Sequence, residues 1–130
     1  MYLNSLKINH FGIVVPVNET KIIENEYGEK FVWDEIQGVS VCFVWDKRLN
    51  YYCEFITQEG RAKNYALGFN HICYNVEDHA SMTTLHKEII QQKQGIRLTL
   101  PEISPTKNCN LVSFYKLNNI GIVEFNILNK

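Results

Sequence analysis

The sequence predicts an α+β fold of two tandem βαβββ modules that form a curved mixed sheet around a central cleft. Residues 8–15 (Ile-Asn-His-Phe-Gly-Ile-Val-Val) and 69–76 (Phe-Asn-His-Ile-Cys-Tyr-Asn-Val) both place Asn-His at the head of an apolar strand. Downstream of each, at 52–56 and 122–127, a Glu-Phe pair lies inside an apolar run. Because the same order of elements occurs twice, we expect a single domain over residues 1–130 made of two modules, about 7–58 and 68–129.

The first module begins with a strand over 8–15, in which His10, Gly12 and Val14 share one face. The pattern next predicts a short helix over 18–27, capped by Asn18 and closed by Gly28. Three strands follow: a weak one over 30–36, and two over 39–46 and 51–57 that form a hairpin carrying Glu54.

The second module repeats this order. A strand over 69–76 carries His71, and Asp78 is the predicted N-cap of a helix over 79–93. The apolar face of this helix is expected to hold Met82, Leu85, Ile89 and Ile90. The module is completed by a short strand over 96–100, a proline-containing loop over 101–110, and a hairpin of 111–117 and 120–128 that carries Glu124.

The composition is ordinary for a globular protein, with 45% hydrophobic and 21% charged residues and a net charge of −1. Lysine and arginine are scattered, so the charge gives no reason to expect nucleic acid or an acidic membrane as a partner. The sequence contains no apolar stretch long enough to cross a bilayer and no signal-peptide pattern. We therefore expect a cytoplasmic protein.

The four cysteines agree with a reducing compartment. Cys42, Cys53 and Cys73 fall in predicted strands, Cys109 falls in a loop, and no Cys-x-x-Cys pair occurs. A thiolate zinc site or redox motif is therefore not expected, and the three strand cysteines are interpreted as small buried hydrophobic residues. The alternative is a catalytic thiol at Cys73, which lies two residues from His71 on the same strand face.

The residues that carry chemistry are the two histidines and two glutamates of the repeated pattern. A carboxylate inside an apolar strand is costly unless a partner compensates it. Two imidazoles and two carboxylates would compensate one another by sharing a divalent cation, and such a set suits Zn, Ni, Co, Mn or Fe. The alternative for each histidine is a strand-end side chain bonded to the backbone. The predicted ligands are His10, Glu54, His71 and Glu124.

Four short motifs occur in order along nearly the whole chain. They are the His10 strand over 8–15, the stretch Gln37-Gly38-Val39, the stretch 61–65 (Arg-Ala-Lys-Asn-Tyr), and the His71 segment over 68–78. Together they resemble the vicinal oxygen chelate superfamily, which includes glyoxalase I, bleomycin-resistance proteins and extradiol dioxygenases. The resemblance is closest to the branch that resembles methylmalonyl-CoA epimerase.

The resemblance implies that one residue from each of four strands binds the metal, and these positions are again His10, Glu54, His71 and Glu124. It implies a metal-dependent isomerase, epimerase or lyase that acts through an enediolate on a small carbonyl or acyl-thioester substrate, in a homodimer. The cation would stabilise the enediolate, and a carboxylate would take and return the proton. Glu124 is the first candidate for that base, followed by Glu54 and Glu35.

Two features depart from the branch. The stretch between His10 and Gln37 is short, so we expect a truncated first helix. Epimerases of the branch carry an acidic residue directly before Gln-Gly, where this chain has Ile36, with Glu35 one place earlier. A slip of one residue in a strand turns the side chain to the opposite face, which weakens the case for Glu35.

Other functions stay open at this stage. The main alternative to an enzyme is a small-molecule binding or sequestering protein of the antibiotic-resistance type, or a biosynthetic accessory protein of the same fold. On the predicted helix, His79 and His86 are interpreted as solvated. Four basic residues are interpreted as surface charge: Arg61, Lys63, Arg97 and Lys107. The alternative is that they hold a substrate carboxylate or phosphate.

Overall fold

The structure is a computed structural model that describes residues 2–104 and 110–128. Within them it has nine strands, two α-helices and three 3-10 helices, the latter over Tyr2–Ser5, Val17–Glu19 and Gly60–Ala62. The α-helices are α1 (Thr20–Tyr27) and α2 (His79–Gln91). The strands are β1 (Lys7–Val15), β2 (Val32–Asp34), β3 (Val39–Asp46), β4 (Tyr51–Thr57), β5 (Gly68–Val76), β6 (Gly95–Arg97), β7 (Glu102–Ile103), β8 (Leu111–Leu117) and β9 (Gly121–Ile127).

These strands belong to one mixed sheet, so the predicted α+β class is confirmed. The chain divides into two compact units. The first, called here the His10 unit, spans His10–Asn70, and the second, the His71 unit, comprises Met1–Asn9 and His71–Lys130. The strand order is β2-β3-β4-β1 through the first half of the sheet and β5-β9-β8-β6 through the second, with β7 paired to β8. That the two modules enclose a cleft stays a prediction.

Each half of the sheet contains one parallel pair. β1 runs parallel to β4, and β5 runs parallel to β9. The hairpins β3–β4 and β8–β9 are antiparallel, as the sequence predicted. Because β4 and β9 each have strands on both sides, their backbone groups are paired on both edges. Each ends in five consecutive buried residues, 53–57 in β4 and 123–127 in β9.

In the His10 unit, helix α1 covers one face of the sheet. Its buried Ile23 lies in a cluster with Val15, Cys42 and Phe55. The helix ends as predicted at Gly28, whose φ of 74° is a left-handed conformation that glycine adopts without strain. The predicted cap by Asn18 is wrong, because a 3-10 helix over Val17–Glu19 precedes α1 and no side chain caps it.

A close backbone contact explains the Gln-Gly motif of the His10 unit. Gly38 follows β2 in a turn, and a Cβ added to Gly60 would come within 2.2 Å of the carbonyl oxygen of Gly38. The amide of Arg61 donates to the carbonyl oxygen of Gln37 at 2.9 Å. Both glycines have positive φ, and a side chain at Gly60 would overlap the Gly38 carbonyl, so this contact requires glycine at position 60.

In the His71 unit, helix α2 packs on the sheet through Met82, Leu85 and Ile89, which are buried as predicted. Asp78 caps the helix as predicted, since its Oδ1 accepts a hydrogen bond from the amide of Ser81 at 2.8 Å. The expected burial of Ile90 is wrong, because this side chain is 48% exposed. The helix also ends at Gln91, two residues earlier than predicted.

Three further expectations are corrected in this unit. The stretch 101–110 is not a loop throughout, because Glu102–Ile103 forms β7 against β8. The predicted strand over 96–100 is instead Gly95–Arg97. His86 is half-buried rather than solvated, and its Nδ1 lies 2.6 Å from the hydroxyl oxygen of Tyr115. Burial lowers the pKa of His86. The predictions for Lys107 and Cys109 lie outside the described residues.

Candidate metal centre

The first predicted pair, His10 and Glu54, lies in the His10 unit. Glu54 on β4 stands opposite Gly12 of β1, and His10 is two residues before Gly12, so both side chains point to the same face of the sheet. His10 is 0% exposed and Glu54 is 3% exposed. The His10 Nε2 lies 3.4 Å from the Glu54 Oε1. The β1–β4 pairing therefore buries an imidazole beside a carboxylate.

The second predicted pair, His71 and Glu124, repeats this register in the His71 unit. Glu124 on β9 stands opposite Cys73 of β5, and His71 is two residues before Cys73. His71 is 2% exposed and Glu124 is 0% exposed. The His71 Nε2 lies 3.2 Å from the Glu124 Oε1. The two halves thus build the same buried pair from the same strand geometry.

Each pair is accompanied by a phenylalanine that the sequence analysis did not single out. Phe43 of β3 stands opposite Glu54, and its ring meets that of His10 edge to face with centroids 5.3 Å apart. Phe114 of β8 stands opposite Glu124, and its ring meets that of His71 edge to face at 5.8 Å. The register of the two hairpins would have identified them, because each phenylalanine is the cross-strand partner of a predicted ligand.

The donor atoms fit a divalent cation. Buried carboxylates are costly without a compensating charge, and a buried imidazole nitrogen needs a partner. Each pair offers one imidazole nitrogen and one carboxylate oxygen, with an aromatic ring on one side. Nitrogen and oxygen ligands without sulfur suit borderline metals such as Zn, Ni, Co, Mn or Fe. A buried His/Glu group of this kind could hold a metal ion.

The remaining candidates lie elsewhere. Glu35 is exposed in the turn that follows β2 and does not join either buried pair. Arg61, Lys63 and Arg97 are all exposed. The three described cysteines, Cys42, Cys53 and Cys73, are buried as predicted. Burial raises the pKa of both the Cys42 and the Cys53 thiols to about 11, so neither is activated as a nucleophile.

Comparison with known proteins gives the fold. No family model matches the sequence, and no curated protein matches it. Among solved structures, a hypothetical protein BH1468 from Bacillus halodurans C-125 superposes with a TM-score of 0.66 at 18% identity, covering 97% of this chain and 96% of the other. The methylmalonyl-CoA epimerase from Mycobacterium tuberculosis superposes with a TM-score of 0.65 at 14% identity, covering 95% and 88%.

A third similar structure is a variant methylmalonyl-CoA epimerase from Streptomyces coelicolor in complex with 2-nitronate-propionyl-CoA. It superposes with a TM-score of 0.63 at 17% identity, covering 95% of this chain and 98% of the other. The chain has the methylmalonyl-CoA epimerase fold. This confirms the fold that the resemblance to methylmalonyl-CoA epimerases implied. Among residues 2–104 and 110–128, no helix is long and apolar enough to span a membrane.

Proposed function

We propose that this chain is a metal-dependent isomerase or epimerase in which His10, Glu54, His71 and Glu124 bind one divalent cation. The observation that supports the proposal most is that each unit buries one histidine beside one glutamate, at 3.4 Å for His10–Glu54 and 3.2 Å for His71–Glu124. Buried His/Glu groups of this kind could hold a metal ion. The fold of the methylmalonyl-CoA epimerases adds support, because it is the same fold on which that reaction is performed. Zn, Ni, Co, Mn and Fe all suit the ligand set.

The proposed reaction is the removal and return of a proton on the carbon beside a carbonyl group. When bound, the cation would supply Lewis-acid stabilisation of the negative charge that forms there. His10 and His71 would bind through neutral imidazole nitrogens. Glu124 is the first candidate to take and return the proton, and Glu54 is the second. Glu35 is the least favoured candidate, because its side chain lies exposed in a turn.

The proposed substrate is a small carbonyl compound or an acyl thioester. Similar structures contain such molecules: one methylmalonyl-CoA epimerase was solved with methylmalonyl-CoA, and the Streptomyces coelicolor protein with 2-nitronate-propionyl-CoA. A lyase that begins with the same proton abstraction belongs to the same proposal. We further propose a cytoplasmic homodimer, and the buried thiols of Cys42 and Cys53 suit a reducing compartment. Analytical ultracentrifugation tests the dimer.

The first experiment measures metal. Purified wild-type protein should contain close to one divalent metal ion per chain by inductively coupled plasma mass spectrometry. The double variant His10→Ala/His71→Ala should lose it. The matched control is His79→Ala, because His79 is an exposed histidine on α2 and should not affect metal content. A wild-type protein that binds no divalent metal after dialysis against each candidate ion would contradict the proposal.

The second experiment measures the reaction class. The metal-loaded protein is incubated in deuterated water with a panel of 2-substituted acyl-CoA thioesters and 2-oxoaldehyde–thiol adducts. Deuterium should enter the carbon beside the carbonyl of at least one compound, as followed by NMR. Variant Glu124→Gln should reduce the incorporation rate by about 100-fold or more, since general base catalysis contributes about that much. Tight stoichiometric binding without incorporation, unchanged in metal-free protein, would indicate a sequestering protein instead.

A further inference from the structure

Asn126 is a buried side chain with an unused acceptor. It lies on β9 two residues after Glu124, and therefore on the same face of the strand. The residue is 3% exposed, and its Oδ1 is buried without a hydrogen-bond partner among the described residues. Buried amide oxygens are almost always hydrogen-bonded in folded proteins, so this one needs a specific explanation.

The Asn126 amide is hydrogen-bonded to a neighbouring asparagine. The Oδ1 of Asn75 accepts two hydrogen bonds, from the Nδ2 of Asn126 at 3.0 Å and from the Nδ2 of Asn9 at 3.0 Å. These occupy both lone pairs of that oxygen. Rotating the Asn126 amide by half a turn would set its oxygen against the oxygen of Asn75. In this arrangement the Asn126 Oδ1 faces away from Asn75.

The fold itself does not require this polar position. The equivalent residue of the other hairpin, two residues after Glu54, is Ile56. Its cross-strand partners are Val14 of β1 and Val41 of β3, so that level of the sheet is entirely apolar. In the His71 unit the same level holds Asn75, Asn126 and Val112. Since the other half of the repeat holds aliphatic side chains at this level, the repeated architecture does not itself call for amides here.

We propose that Asn126 determines substrate specificity by accepting, through its Oδ1, a hydrogen bond from an O–H or N–H group that the substrate carries next to its carbonyl. This inference rests on the proposed function, because it places the reacting carbonyl beside His71 and Glu124. The substrate class is thereby narrowed to carbonyl compounds with a hydrogen-bond donor on or next to the reacting carbon. An analogue without the donor leaves the Asn126 oxygen buried and unpaired, which costs on the order of 10- to 100-fold in affinity.

The test compares two small probes by isothermal titration calorimetry on the metal-loaded protein. Glycolate carries the donor, and methoxyacetate replaces its proton with a methyl group. Wild-type protein should prefer glycolate by at least about tenfold. In Asn126→Val the preference should disappear, with metal content and unfolding temperature retained. The control Ile56→Val, at the equivalent position of the His10 unit, should keep the preference of the wild type.

Each outcome decides the proposal. A wild-type protein that binds metal but both acids equally, as expected if a water molecule serves the Asn126 oxygen, overturns it and leaves the proposed function standing. A preference that persists in Asn126→Val also overturns it, because the methyl group is then excluded by other residues. A wild-type protein that binds no metal overturns the proposed function together with this inference. The wild-type comparison can contradict the proposal whether or not the variant folds.

Discussion

The ring of Phe43 meets the imidazole of His10 edge to face, with centroids 5.3 Å apart and planes at 86°. The same relationship recurs between Phe114 and His71, at 5.8 Å and 84°. Edge-to-face packing restricts how an imidazole can turn about its χ angles. Each phenylalanine therefore holds the orientation of a proposed metal ligand and lies beside the glutamate that accompanies it.

Replacing Phe43 with leucine should weaken metal binding without removing a ligand. The imidazole of His10 would gain rotational freedom, and changes in the shell around metal ligands typically cost at least about tenfold in metal affinity. Competition with a chromophoric chelator measures the affinity. The control is Phe11→Leu, which removes a ring packed on the opposite face of β1, in the cluster beneath α1. Equal metal affinities for both variants would show that the Phe43 ring does not orient the ligand.

The sequence was sufficient for the strands that carry the site. The predicted bounds of β3 (39–46) and β4 (51–57) agree with the structure, because turn residues mark both ends of these long apolar runs. The two His–Glu pairs could be predicted because a charged residue in an apolar strand stands out against its neighbours. The repeated order of elements then predicted which glutamate accompanies each histidine, without any knowledge of the pairing register.

The features that could not be predicted from the sequence are those that depend on tertiary contacts. Phe43 and Phe114 look like ordinary core residues until the hairpin register places them opposite Glu54 and Glu124. The two residues of β7 form a strand by pairing with Val112 and Leu111 of β8, a contact that the local sequence does not reveal. Ile90 has the periodicity of a core residue, but it lies at the border of the apolar stripe of α2 and the sheet does not reach it.

The cap of α2 should contribute measurably to stability. Asp78→Ala removes the carboxylate that accepts from the Ser81 amide, and losing an N-cap costs about 1 kcal/mol. Urea denaturation followed by tryptophan fluorescence measures the free energy of unfolding. Asp78→Ser should retain most of the stability. Asn18→Ala is the matched control, because no side chain caps α1 in the structure. If Asn18→Ala costs as much as Asp78→Ala, the described α1 terminus is wrong.

The apolar stripe of α2 predicts a sharp difference between neighbouring residues. Leu85 is 0% exposed within the main cluster of the His71 unit, so Leu85→Ala should lower the free energy of unfolding by about 2–5 kcal/mol. Ile90 is 48% exposed, so Ile90→Ala should cost less than about 1 kcal/mol. Urea denaturation of the two variants measures both losses. Similar losses for the two substitutions would mean that Ile90 is covered in solution, as in an oligomer.

A carboxylate in the His10 unit should make stability depend on pH. Asp46 is 0% exposed and accepts from the Tyr27 hydroxyl at 3.0 Å and from the Arg48 Nη2 at 2.7 Å. The Arg48 hydrogen bond is the main cause that lowers the pKa of Asp46 from 3.8 to about 2. Because the pKa is lower in the folded state, the carboxylate contributes its full stabilisation above about pH 4.

This stabilisation should decrease as the pH falls from about 4 through 2, because Asp46 is protonated first in the unfolded state and then in the folded state. Its size is about 1–2 kcal/mol, since the Arg48 side chain is largely exposed and solvent screens the pair. Urea denaturation between pH 2 and 6 should therefore show wild type and Asp46→Asn differing most at pH 6 and least at pH 2. Arg48→Met removes the main cause of the lowered pKa and should flatten the pH dependence. A difference between wild type and Asp46→Asn that stays constant across this range would show that the Asp46 pKa is the same in the folded and unfolded chain.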